Sequence, residues 1–208
     1  MKKSTKKQIK LTIITLIGVI LMGFSLTILK YVNFGTDPFS YMNLSIVDKM
    51  GWSFGTWQVI LNIVLFIPVI IWGRKEIGIG TIFNMVLVGY SAEFFMWIFD
   101  SIKLASYMDN MVVRCLVMVP ALALFIFSAA TYMSAGMGTA PWDALIFLIS
   151  KKITFIKFKW LRLMWDFTAI AVGLIFGGKL GVVTVLMAIF LGQAVTFVSE
   201  KFMKKLKN

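Results

Sequence analysis

Histidine is absent from this chain, cysteine occurs once, at position 115, and only nine of the 208 residues are acidic. Without histidine there is no His-based acid–base chemistry, no His-ligated metal and no Ser-His-Asp triad. A lone Cys115 inside an apolar run is expected to act as a small packing residue. No Gly-rich phosphate loop or Walker pattern occurs, which excludes a pump with its own nucleotide site. No nucleophile–base pair stands at a diagnostic spacing, so no catalytic residue, cofactor or metal site is assigned, and the chain is not expected to be an enzyme.

What the chain has in abundance is apolar sequence. Sixty per cent of its residues are hydrophobic and its mean hydropathy is +0.90, far from the mixture of a soluble domain. A transmembrane helix needs about 20 mostly apolar residues. The runs Leu11–Leu29, Gly51–Gly73, Cys115–Trp142 and Leu180–Ser199 carry no charge. Two more spans tolerate internal charge, Ile77–Phe99 with Glu93 and Trp160–Gly178 with Arg162 and Asp166. These make six spans joined by short loops. The first is read as uncleaved, because Lys30-Tyr31-Val32 rather than a small-x-small pattern follows it.

Lys and Arg set the expected orientation. With both termini cytoplasmic, Lys2 to Lys10, Arg74 and Lys75, Lys151 to Arg162, and Lys201 to Lys207 lie inside. Only Lys30, Lys49, Lys103, Arg114 and Lys179 fall near the outer face. The net charge of +12 is then explained by basic ends against an anionic lipid leaflet, with no nucleic-acid partner.

The chain also repeats itself. Gly35-Thr36-Asp37-Pro38-Phe39 recurs 103 positions later as Gly138-Thr139-Ala140-Pro141-Trp142. At the same offset Phe24-Ser25, Trp57, Gly78, Thr81, Gly89 and Phe94 match Phe127-Ser128, Trp160, Gly181, Thr184, Gly192 and Phe197. Three spans per copy is an odd number, so the second copy is expected upside down, an arrangement common in secondary transporters. The expected fold is therefore an all-α polytopic membrane bundle of about six helices, as two inverted three-helix repeats over residues 11–105 and 110–200. Basic tails cover 1–10 and 201–208.

The G-T-D-P-F segment followed by Ser53, Gly55 and Trp57, repeated as G-T-A-P-W followed by Trp160, resembles the YczE/YyaS/YitT-type family of bacterial membrane proteins. The likeness runs from about Thr12 to Glu200. It implies an integral inner-membrane protein and brings no substrate or catalytic residue with it.

Each G-T-x-P segment has a physical reading. Gly35 and Gly138 allow a sharp turn after a long helix, and Pro38 and Pro141 suit the first turn of a new one. Asp37 then caps a short helix, Phe39–Met50, whereas Ala140 cannot cap and Asp143 is placed to reach back to the free amides of Trp142–Ser150. Such helices are interfacial caps, or re-entrant segments placing Asp37 and Asp143 in a solute or cation path. Glu93, on a small-residue stripe with Gly89, is expected to face the interior with Arg114 as its partner, as an ion pair or a transport carboxylate. Asp166 and Arg162, four residues apart, are expected to pair. Asn62, Asn84 and Gln193 add interhelical hydrogen bonds or pore lining. The ladder Ala169, Gly173 and Gly177 is expected to pack on Ala188 and Gly192, or to form a dimer seam. Trp52, Trp57, Trp72, Trp97, Trp142 and Trp160 are expected in interfacial belts.

Function is expected to be permeation of an unknown small solute by alternating access between the halves, through a site lined by Glu93, Asn62, Asn84, Gln193 and Asp166. The other expectation is a membrane scaffold or accessory subunit that docks a partner protein on its basic segment Lys151–Arg162.

Overall fold

The computed structural model describes the backbone of residues 2–202 and the side chains of residues 5–201. Of the basic tail expected over 201–208, residues 203–208 lie outside the described residues. Among the described residues the chain is helical and without strand. The helices are α1 (Lys2–Val32), α2 (Pro38–Met50), α3 (Phe54–Trp72), α4 (Ile79–Ser101), α5 (Leu104–Tyr107), α6 (Met111–Ser134), α7 (Pro141–Lys152), α8 (Phe158–Ile175) and α9 (Val182–Phe202). The basic N-terminal stretch is continuous with α1 from Lys2 onward.

Local chemistry explains the boundaries. Helix α1 stops where Asn33 turns to a φ of 58° and Gly35 to 110°, and the Arg114 side chain donates to the exposed carbonyls of Val32 (2.7 Å) and Asn33 (3.0 Å). A cation at a helix C-terminus is favourable on both hydrogen-bond and dipole grounds. Asp37 caps α2 by accepting from the Ser40 N–H at 3.1 Å, Pro38 opens it, and Gly51 closes it at a φ of 68°. Ser53 caps α3.

Helices α1, α3, α4, α6 and α9 are each long and apolar enough to cross a membrane. Helix α8 has 18 residues and carries Lys159, Arg162 and Asp166. Polarity is arranged inside out relative to a soluble protein. Ile63, Val64, Ile67, Leu116, Val119 and Phe190 face outward, while Thr15, Ser25, Asn43, Asn62, Thr81, Ser128 and Thr184 are buried. In lipid the apolar exterior costs nothing, and helices associate by close packing and polar contact instead. Thr27 illustrates this, its hydroxyl bonding the Ala92 carbonyl across the α1–α4 seam at 3.0 Å. The chain is a polytopic membrane helix bundle.

The elements recur with the sequence repeat: α6, α7, α8 and α9 follow one another as α1, α2, α3 and α4 do. Helices α1 and α6 pack together at the centre, with α4 against α1 and α9 against α6. The short helices exchange partners, α2 lying on α8 and α7 on α3. Two backbone clasps fasten the exchange. The Phe34 carbonyl accepts from the Val183 N–H at 2.9 Å, and the Met137 carbonyl from the Gly80 N–H at 2.7 Å. Phe34 and Met137 are repeat-equivalent, and so are Val183 and Gly80.

Candidate functional site

Helix α7 runs along the C-terminal half of α3. Trp142 in its first turn shares a cluster with Leu61 and Leu65, Ala144 and Leu145 pack on Val69, and Leu148 lies against Gly73. Helix α7 therefore starts beside the middle of α3 and finishes at its end. Helix α2 does the same on α8, with Met42 and Ile46 clustered on Ala169 and Tyr41 against Gly173. The two N-termini meet, and the rings of Phe39 and Trp142 lie 4.9 Å apart. Trp165 of α8 stacks on Trp142 at 4.5 Å.

Charge collects at this junction. Arg162 bonds Asp143 of α7 and, at 3.0 Å, Asp166 of its own helix. Asp37 lies within the electrostatic reach of Asp143 and Arg162. Asp37 is 8 % exposed and Asp166 3 %. Asp37 Oδ2 and the Trp165 indole nitrogen are buried without a hydrogen-bond partner, while the Trp142 indole faces Asp166 and the Tyr132 hydroxyl faces the Ala140 backbone. Burying a polar atom unpaired costs about 1–3 kcal/mol, so such a concentration in one place is a feature to be explained by function.

Two cavities flank the junction. One of about 500 Å³ lies between the end of α1, the length of α2 and the α8–α9 turn, and Gly35, Thr36, Lys30, Asn33, Gly178 and Lys179 stand in its wall. The other, about 200 Å³, is lined by Gly138, Thr139, Met133, Gly136, Lys75 and Glu76. Each residue of the second set is the repeat-equivalent of one in the first. Thr36 precedes Asp37 on one wall, and Thr139 is four residues before Asp143 on the other.

Several expectations are met. Asp37 is the α2 cap, Arg162 and Asp166 pair, and Asn62 donates to the Met85 carbonyl of α4 at 3.4 Å. Gly35 and Gly138 hold positive φ angles of 110° and 114°. Others are corrected. Glu93 does not meet Arg114, which is engaged in closing α1; it accepts from Ser53 Oγ (2.9 Å) and the Gly55 N–H (3.2 Å) at the start of α3. Asp143 turns to Arg162 rather than back to its own helix amides, because a guanidinium is the stronger partner. Gln193 is exposed on the outer face of α9 and lines nothing inside. Asn84 is buried on α4. The ladder on α8 packs on α2 rather than α9, and Gly192 faces open space. Trp142 is buried in the core rather than in a belt, and Cys115 is exposed rather than packed. Trp165 and Tyr132 were missed; indole and phenol groups within apolar runs gave no signal that Trp165 packs on Trp142 and that Tyr132 is buried within reach of Asp143.

Residues 9–200 match the family of unknown function DUF6198. The chain belongs to that family. This DUF6198 member is 28 % identical over 181 residues to the uncharacterized membrane protein YczE of Bacillus subtilis (strain 168), covering 86 % of this chain and 81 % of that protein. It is 22 % identical over 173 residues to the uncharacterized protein YyaS of the same organism, covering 82 % and 83 %. The YczE/YyaS resemblance carried by the G-T-x-P segments is thereby established. No solved structure matches it.

Proposed function

We propose that this protein is a secondary transporter or permease for a low-molecular-weight solute, working in the bacterial inner membrane by alternating access between two inverted halves. The observation that carries the reading is the pair of flanking cavities, built from repeat-equivalent residues yet unequal, at about 500 and 200 Å³. Inverted repeats offer two nearly equal states that differ in which copy adopts which arrangement. One enlarged and one reduced cavity is what a single such state contains. In this reading α8 is the sixth span, its Arg162 neutralised from within, and both termini are cytoplasmic. The solute would pass the junction of α2 and α7, with Asp37, Asp143 and Asp166 at the path.

The scaffold reading draws less support. Its docking segment has Arg162 turned into the protein and Lys151 paired with Glu76 at 3.2 Å.

Side-specific labelling tests the proposal. In a Cys115→Ser background, single cysteines replace Thr36 and Asp48 on one wall, and Gly136 and Thr139 on the other. A membrane-impermeant maleimide is expected to reach the first pair from outside and the second from inside, with Thr36→Cys and Thr139→Cys protected in opposite states. Both deep positions remaining unreactive from either side in every condition would leave the halves as a static bundle and sink the idea.

A further inference from the structure

The junction carries more negative charge than its surroundings balance. Asp37, Asp143 and Asp166 bring three carboxylates, and Arg162 is the cation among them. The N-termini of α2 and α7 together contribute roughly one further positive charge, at about half a charge each. One negative charge is left over at a junction where Asp37 and Asp166 are buried and Arg162 and Asp143 half-buried.

The charged groups that act on Asp37 come from α7 and α8. Helix α7 presents Asp143; α8 presents Arg162 with Asp166 beside it; α6 presents the neutral Tyr132. From α9 comes Thr184, which bonds the Thr36 N–H; the buried Asn62 of α3 turns to the Met85 carbonyl of α4. None of these supplies the missing charge.

A metal ion is a poor fit, since among the described residues no three carboxylate or thiol groups converge as ligands. A proton needs only one oxygen. Asp143 and Asp166 are each held by the guanidinium, a hydrogen-bond partner that Asp37 lacks. Asp37 accepts from the Ser40 N–H on Oδ1, with the Ser40 hydroxyl also beside the carboxylate, and its Oδ2 is buried without a partner. Its neighbour Thr36 forms part of the wall of the larger cavity, so a proton has a short route in.

We propose that Asp37 is a proton-binding carboxyl, neutral in the closed junction and ionised when the larger cavity opens onto it, which would make the transporter proton-coupled. The coupling rests on the transport reading; the proton site does not.

Infrared difference spectroscopy of the full chain in liposomes, titrated between acid and alkaline buffer, reads the site directly. A protonated-carboxyl carbonyl band is expected at neutral pH, shifted in deuterium oxide and lost in Asp37→Asn, whose amide preserves the α2 cap. Asp143→Asn and Asp166→Asn are each expected to keep the band and Asp37→Glu to move it, so the assignment does not rest on Asp37→Asn alone. Absence of the band in the native chain, or its loss in Asp166→Asn but not in Asp37→Asn, would overturn the assignment. A band assigned to Asp37 together with failed side-specific labelling would keep the proton site and remove the transporter.

Discussion

Arg162 is the residue on which the interior depends most. It faces Asp143 and Asp166 at once, and its removal would leave the buried Asp166 and the half-buried Asp143 without a counter-ion. Breaking a buried pair from one side costs about 3–5 kcal/mol. Arg162→Leu is therefore expected to lower the detergent unfolding midpoint sharply, and the triple change with Asp143→Leu and Asp166→Leu to recover most of the loss. A midpoint unmoved by Arg162→Leu would mean that the carboxylates find water. Glu93 makes a milder case. Its carboxylate accepts two bonds at the start of α3, so Glu93→Gln should be tolerated and Glu93→Ala should cost about 1 kcal/mol, as loss of a helix cap does. Equal loss in both variants would point to charge, not capping, as its role.

Elements are joined here by glycines that let backbones touch. A Cβ at Gly181 would stand 2.0 Å from the Phe34 carbonyl oxygen, and one at Gly78 would stand 2.1 Å from that of Met137. The clash is with main chain, which has little room to yield. Gly78→Ala and Gly181→Ala are each expected to destabilise the bundle by about 1–3 kcal/mol. Gly192→Ala, with open space around its α-carbon, should be neutral in the same assay. A neutral result at Gly78 or Gly181 would show that the clasps open readily. The repeated G-T-x-P and Gly-x-x-Thr positions were visible in the sequence, yet their function as mates of one another was not. Sequence similarity gives the offset between copies, whereas which copy touches which is set by the exchange of α2 and α7.

For the whole molecule, the asymmetry between copies matters as much as the symmetry. Asp37 stands against Ala140, Asp143 against Ser40, Arg162 against Val59, and Asp166 against Ile63. The charged cluster thus occupies positions where the repeat is broken. A framework of two similar halves supports the motion proposed above, while the unpaired chemistry gives it one site rather than two. Asp48 on α2 and Lys179 on the α8–α9 turn line opposite sides of the larger cavity. Joining cysteines at these positions with a short bismaleimide is expected to hold that cavity closed and to raise labelling of Thr139→Cys from the cytoplasmic side. Unchanged labelling at Thr139→Cys would uncouple the two cavities.

The sequence by itself determined the class, the helices and the repeat. Runs of apolar residues have only one stable arrangement in lipid, because every backbone amide there must be satisfied within its own segment. Caps such as Asp37 and Ser53 and the turns at Gly35 and Gly138 follow from local chemistry and were equally legible. The i to i+4 spacing gave the Arg162–Asp166 pair for the same reason. Tertiary structure decided what spacing along the chain does not encode: that Asp143 shares that guanidinium, that Trp142 and Trp165 lie ring against ring beside it, and that Glu93 belongs to α3 rather than to Arg114. Those contacts depend on α2 and α7 crossing to the opposite half and meeting tip to tip. Only the folded chain brings Asp37 to carboxylates more than 100 positions away.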